Sequence, residues 1–232
     1  MFVDLTPYHG LTTPHVADAC MRLGIAVRSA PAGLRPLSPD THLVGRVRPA
    51  RHAGSVDVFL EAFENAAPGD VLVVDNGGRL DEACVGDLIT LEAAGAGLAG
   101  ILIWGLHRDT SELRTIGLPI LSLGALPPGP AAVEPQRNDA LHSAQVGEHT
   151  VTTDNFVLAD DDGALFLPLS HADELAELAT AIRDTERRQA ALMHTGTTLR
   201  EQMHFSDYLD RRRAEGIGFR EHLRAIGGAI EE

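Results

Sequence analysis

Two short, uninterrupted apolar runs constrain the fold of this chain more than any other feature. Residues 70–75 (DVLVVD) and 100–104 (GILIW) carry apolar side chains at consecutive positions instead of alternating them with polar ones. Such strands are buried on both faces, as happens when helices or a second sheet cover them from each side. The flanking segments fit this need. Residues 13–23 (TPHVADACMRL) predict a helix, with Thr13 as N-cap, Pro14 in the first turn and Gly24 as the stop. Residues 42–50 and 119–122 predict strands, and 55–66, 86–95 and 109–116 predict helices. After a Pro-rich connector at 127–135, strand-like pieces near 150–159 and 163–168 flank the acidic turn Asp160-Asp161-Asp162-Gly163. From 171 the pattern becomes helical, with Ser170 as N-cap and Asp173 as its capping-box partner. The expected organisation is an α/β core over 1–169 and a helical C-terminal extension over 170–232, packed on the core or on a neighbouring subunit.

The 232 residues, 44% of them hydrophobic, suffice for a sizeable core. A formal net charge of −14 argues against nucleic acid or an anionic membrane as partner, and the run Arg211-Arg212-Arg213 is too short to reverse that. No apolar stretch approaches the roughly 18 residues of a membrane span. The opening MFVDLTPYHGLTTP lacks the basic start and apolar run of a signal peptide. Cys20 and Cys84 stand alone without metal spacing, so the expected setting is the reducing cytoplasm. All 19 Lys+Arg residues are arginines. A chain without lysine cannot form a Schiff base, so any carbanion chemistry here needs a metal, a bound cofactor or an oxyanion site.

Residues 95–100 spell Gly-Ala-Gly-Leu-Ala-Gly, a literal G-x-G-x-x-G. Dinucleotide binding needs that pattern after a strand and before a helix, whereas here a predicted helix precedes it and a strand follows. It reads as a helix C-cap with a tight entry into a strand. The eleven histidines show neither H-x-H nor H-E-x-x-H spacing, which argues against a zinc-type site.

Two stretches place acidic groups at strand ends, where open α/β folds build their sites. One is Asp75-Asn76-Gly77-Gly78, leading to Gly86-Asp87 at a helix start; the other is Gly105-Leu106-His107-Arg108-Asp109, directly after GILIW. An Arg beside an Asp suits an oxygen-ligated hard cation with a neighbouring charge for an anionic substrate. Asp109 with Glu112 equally suits an N-cap pair for the following helix, and Asp87 a charge complementing a helix dipole. On spacing alone the two readings stand level.

Asp87, twenty intervening residues, Arg108-Asp109 and then Glu112 form the pattern D-x20-R-D-x2-E. With GDVLVVDNGG, ACVGDL, GLPIL and FVLADDDGALFLP around it, the chain resembles the RraA-like superfamily over roughly 12–169. That group holds class II 4-hydroxy-4-methyl-2-oxoglutarate aldolases and regulators of ribonuclease activity. His107 and Asp154-Asn155 depart from the usual pattern. The resemblance implies a layered α/β/β/α (swivelling β/β/α-like) core, assembled as a homotrimer or as a hexamer of two trimers. It implies a Mg²⁺ or Mn²⁺ ion held directly by Asp109 and through water by Asp87, which also positions a proton-transferring water. Arg108 would stabilise an enolate at the keto oxygen, and amides around Gly86, Asp87, Leu88 and Ile89 would bind the substrate carboxylate, as a helix N-terminus can. The implied activity is retro-aldol cleavage of a 4-hydroxy-2-keto acid with oxaloacetate decarboxylation, because both pass through the pyruvate enolate. The alternative is a non-catalytic, protein-binding regulator.

In the C-terminal helix the apolar stripe Leu175, Leu178, Ala179, Ile182 meets Glu186 at an apolar position. The resemblance gives Glu186 a role in a neighbouring subunit's metal shell, through water; alternatively it is an exposed acid paired with Arg183 or Arg187. The substrate's discriminating end is expected at the C-terminal helices and at side chains such as His107.

Overall fold

The structure, a computed structural model, describes residues 3–226. Residues 227–232 of the predicted extension therefore lie outside the described residues. The helices are α1 (Thr13–Leu23), α2 (Asp57–Glu64), α3 (Asp87–Gly95), α4 (Thr110–Ile116), α5 (Ala172–His194), α6 (Leu199–Gln202), α7 (Phe205–Glu215) and α8 (Phe219–Ile226). The strands are β1 (Arg35–Pro36), β2 (Leu43–Arg51), β3 (Val71–Asp75), β4 (Ala83–Val85), β5 (Gly100–Trp104), β6 (Leu106–His107), β7 (Ile120–Ser122), β8 (Ala144–Val146), β9 (His149–Val151), β10 (Asn155–Asp160) and β11 (Gly163–Pro168).

Seven strands form one sheet in the order β1-β7-β5-β3-β2-β10-β11. Its centre, β2, β3, β5 and β7, is parallel, while β10 and β11 add an antiparallel hairpin at one edge. The continuous apolar runs divide their side chains between two faces. Leu72, Val74, Ile101 and Ile103 pack with Phe59, Ile89 and Leu113 of α2, α3 and α4. Val71, Val73 and Leu102 point the other way and meet Val157 and Phe166 of the β10–β11 hairpin. A hairpin that continues the sheet and also packs on its face requires the sheet to curl over itself. The outer face of the hairpin, Phe156, Leu158, Leu165 and Leu167, is covered by α1 and by Leu175, Ala179 and Ile182 of α5. The layers are thus α/β/β/α, the predicted arrangement.

Two predicted caps fall elsewhere. The N-cap of α1 is Thr12, not Thr13, because Asp160 takes both the backbone N–H and the hydroxyl of Thr13, each at 2.7 Å. Ser170 does not cap α5, because Leu169–His171 winds into a 3-10 turn and leaves His171 at the N-cap. The glycine-rich stretch behaves as expected: α3 ends at Gly95, Gly97 turns with a φ of +78°, and β5 begins at Gly100. Among the described residues no helix is long and apolar enough to cross a membrane.

Candidate active site

The two acid-bearing loops meet because of a strand pair outside the main sheet. β4 and β6 run parallel, with Ala83 opposite Leu106 and Val85 opposite His107. The pairing continues one step further, with the Arg108 N–H donating to the Val85 carbonyl at 2.9 Å. Whatever follows β4 therefore lies beside whatever follows β6. Gly86 and Asp87 open α3, and Arg108 and Asp109 lead into α4.

Asp109 stands at the N-cap of α4, yet its side chain makes no capping hydrogen bond there. Its carboxylate turns instead towards the start of α3, with Oδ2 3.4 Å from the Asp87 amide nitrogen and 3.4 Å from Arg108 Nε. The backbone that aims it this way is left-handed, with φ 58° and ψ 40°, a region Asp tolerates better than most residues. Gly86 makes the approach possible, since a Cβ there would collide with the Asp109 carboxylate and crowd the Arg108 side chain. Asp87 uses Oδ1 to accept the Leu88 N–H at 2.8 Å. Arg108 passes Gly86 and reaches Gly129, where a Cβ would lie 3.0 Å from its Nη1.

Gly86, Asp87 and Arg108 line one end of a cleft of about 180 Å³, a size suited to a small metabolite more than to a large ligand. Asp109 stands beside them but outside its lining. Gly86, Asp87, Leu88, Ile89 and Arg108 all contribute to its wall. Leu88 stands 74% exposed at the rim. The Pro-rich stretch, read from the sequence as a connector, is part of the site: the Pro128 carbonyl accepts the Ala83 N–H and Pro130 lines the cleft.

Other predicted residues are placed elsewhere. Asp75 is buried in the framework, accepting from the amides of Gly77 and Gln145 at 2.9 and 3.0 Å. His107 is buried, and both ring nitrogens are engaged, Nδ1 with Ser122 Oγ at 2.7 Å and Nε2 with Thr110 Oγ1 at 3.0 Å. It clamps β6 to β7 and does not line the cleft. Glu186, on α5, does not line this chain's cleft; it pairs with His15 Nε2 at 3.2 Å, rather than with Arg183 or Arg187, and is 52% exposed.

The sequence gives no signal for His52. Its imidazole lines the cleft, lies nearly parallel to the Phe59 ring with centroids 5.2 Å apart, and meets Asn76 Oδ1 through Nδ1 at 2.8 Å. Neither contact has a linear spacing that marks it. Burial pushes the His52 imidazole below the usual histidine value, against the opposing pull of its Asn76 hydrogen bond. Burial does the same to His107, aided by repulsion from Arg114. Both rings therefore bind fewer protons folded than unfolded. Their share of the stability is fully present above the unfolded value of about 6.5 and falls as pH drops below it. Melting temperature followed from pH 8 to pH 5 should decline below about 6.5, and His52→Gln should flatten that decline.

Comparisons with known proteins agree with this architecture. The chain is 36% identical over 124 residues to 4-hydroxy-4-methyl-2-oxoglutarate aldolase of Thermus thermophilus, covering 53% of this chain and 74% of that one. Protein DlpA of Legionella pneumophila is 26% identical over 197 residues, 79% of this chain but 30% of that much longer one. The crystal structure of RraAS2 from Streptomyces coelicolor, described as an unusual member of the RNase ES inhibitor RraA protein family, superposes with a TM-score of 0.68 at 25% identity, covering 82% of this chain and 96% of that one. The model of the RraA-like family, Aldolase/RraA, matches residues 13–166, and the chain belongs to that family.

Proposed function

We propose that this protein is a divalent-metal-dependent lyase that cleaves a 4-hydroxy-2-keto acid and also decarboxylates oxaloacetate. The observation that carries the reading is the pairing of β4 with β6, which sets Asp87 and Arg108 in the wall of one cleft and brings the Asp109 carboxylate, free of helix capping, to within 3.4 Å of both residues. The aldolase named above, from Thermus thermophilus, supports the same reaction class.

In the retro-aldol step the C4 hydroxyl loses its proton, the C3–C4 bond breaks, and its electron pair forms the enolate of pyruvate. Protonation at C3 then gives pyruvate. Arg108 would lie against the oxygen where charge develops, and stabilisation of that charge is usually the largest catalytic contribution. The amides at the start of α3 would hold the substrate carboxylate, which would take the place of the Asp87 oxygen that now accepts the Leu88 N–H. Asp87, with one carboxylate oxygen uncommitted, would position the water that moves the proton. The donor set fits Mg²⁺ or Mn²⁺, since both Asp109 and Asp87 offer hard carboxylate oxygens at a partly open site. When bound, such an ion supplies Lewis-acid stabilisation of the enolate oxygen.

The described residues contain no group of three or more His, Cys, Asp or Glu placed to hold a metal. A homotrimer, or a hexamer of two trimers, in which Glu186 of the partner subunit completes the shell through water would supply the missing acid. The buried face of α5 ends near Ile182, and Leu192 and Met193 further along are about half exposed, which supports a covering neighbour. Glu186→Gln should raise the metal requirement or lower kcat ~10–100-fold. In its pair with His15 the carboxylate is half exposed, so stability should move by less than about 1 kcal/mol. A monomer by light scattering at micromolar concentration would remove the shared-site idea.

Gly86→Ala should act through the Asp109 carboxylate first and the Arg108 side chain second, and not through backbone strain, because the glycine has an ordinary extended φ of −134° that alanine accepts. Displacing that carboxylate should lower kcat/KM on the order of 10²-fold, as other misplacements of about 1 Å do. Circular dichroism should stay unchanged.

The reading is tested by following pyruvate release from oxaloacetate and from 4-hydroxy-2-keto acids with Mg²⁺ and with EDTA. Metal-dependent pyruvate is expected. Its absence with every substrate would favour a second reading, a protein-binding regulator, which the likeness to RraAS2 supports.

A further inference from the structure

The cleft is chemically lopsided. Among the described residues Arg108 is the only arginine lining it, and the sequence has no lysine. Arg108 and the start of α3 occupy one end. The remaining wall is Gly54, Val56, Ala83, Cys84, Pro130 and His52, none carrying a fixed charge. Burial pushes the Cys84 thiol up to about 12, so it stays protonated, and the same cause keeps His52 neutral at ordinary pH. A carboxylate placed against this wall would be desolvated without a cationic partner, which is unfavourable.

His52 is the one polar side chain of that wall, and its orientation is set. Phe59 supports the ring face, and Asn76 occupies Nδ1. Nε2 has no hydrogen-bond partner among the described residues and is not a fully enclosed atom. Asn76 can present either its oxygen or its amide nitrogen to Nδ1, and in both cases Nε2 remains the ring's free nitrogen. A hydroxyl group can pair with Nε2 in either tautomer, because it both donates and accepts. A carboxylate can only accept.

Building on the lyase reading above, we infer that the distal half of the cleft is an uncharged subsite, with His52 facing the C4 hydroxyl, and that the preferred substrate carries a single carboxylate. The leaving half is then an uncharged aldehyde or ketone rather than a second keto acid. The inference concerns the wall that this chain itself supplies.

A matched pair decides it. The full chain with Mg²⁺ is offered 4-hydroxy-4-methyl-2-oxopentanoate, which would release acetone, and 4-hydroxy-4-methyl-2-oxoglutarate, which differs by one carboxylate in place of a methyl group. Cleavage events per enzyme should favour the monocarboxylate by about tenfold or more in kcat/KM, within the range a binding subsite can discriminate. Equal or faster cleavage of the dicarboxylate overturns the inference while leaving the lyase reading intact. Failure to release pyruvate from both acids and from oxaloacetate would instead overturn the lyase reading. Calorimetric binding of the two acids to the Mg²⁺-loaded protein then decides the subsite: tighter binding of the monocarboxylate supports it, and equal or tighter binding of the dicarboxylate removes it. As a positive control on the geometry, Val56→Arg places a cation on the uncharged wall. It should move the preference at least tenfold towards the dicarboxylate, and an unmoved preference would show that the distal half of the substrate lies elsewhere.

Discussion

Asp109→Ala is expected to abolish metal-dependent pyruvate release, a loss on the order of 10²–10³-fold or more. The carboxylate is the proposed direct ligand, and a single chain offers only Asp87 beside it. The structure separates this effect from a loss of folding. The side chain makes no capping bond to α4, so no cap is removed. Its pair with Arg108 is half exposed, and such pairs contribute about 0–1 kcal/mol. The remaining cost is conformational: alanine at a φ of 58° costs roughly 1–2 kcal/mol. Asp109→Asn avoids that cost, because asparagine tolerates the left-handed region and keeps the shape while losing the charge. The Asn variant should therefore melt close to the parent yet be almost as inactive as the Ala variant. Calorimetry alongside a Mg²⁺ titration of activity checks both halves. An Asn variant with near-parent activity would reduce Asp109 to a backbone role.

The strands and helices of the core were legible because burial leaves a strong imprint on composition. The centres of DVLVVD and GILIW have no exposed face, so their positions are apolar, and the structure buries Val71 to Val74 and Ile101 to Ile103 completely. The pair β4–β6 left no such imprint. Ala83–Val85 and Leu106–His107 are three and two residues long, too short for any period to show. Yet this pair brings Asp87 to Arg108-Asp109 across twenty intervening residues. Spacing alone left two readings level and the family resemblance singled those residues out, while the reason they meet appears only in three dimensions. The Pro-rich stretch misled for a related reason: its composition marks it as irregular, but Pro128 binds the edge of β4 and Pro130 forms cleft wall. His52 and Asn76, 24 positions apart, are joined by the parallel pairing of β2 and β3, in which Arg51 lies opposite Asp75. The capping errors show tertiary contacts overriding local preference. Thr13 is a good cap in isolation, but Asp160, far along the chain, takes its hydroxyl.

Arg108→Lys is the sharper test of mechanism, because it preserves charge and changes only how that charge is delivered. The guanidinium stem runs between two glycines, Gly86 and Gly129, and its planar end lies against the Gly129 backbone. A planar fork can address a keto oxygen and a carboxylate oxygen together, whereas an ammonium is a point charge with rotating donors. Lysine's stem also lacks the flat group that fills the slot beside Gly129. The expected result is a fall in kcat on the order of 10²-fold, comparable to removing one oxyanion donor. KM for the keto acid should change less, since the carboxylate is proposed to rest on the α3 amides, which the substitution leaves in place. Stability should be nearly unchanged, because the pair with Asp109 is half exposed. A fall confined to KM would place Arg108 on the substrate carboxylate rather than at the enolate oxygen. A normal kcat would leave it a solvent-facing charge. Added guanidinium in the assay of Arg108→Ala gives an independent reading: partial rescue of kcat is expected if the slot between the glycines admits the free ion, because that slot is shaped for the planar group and stays open when the side chain is removed.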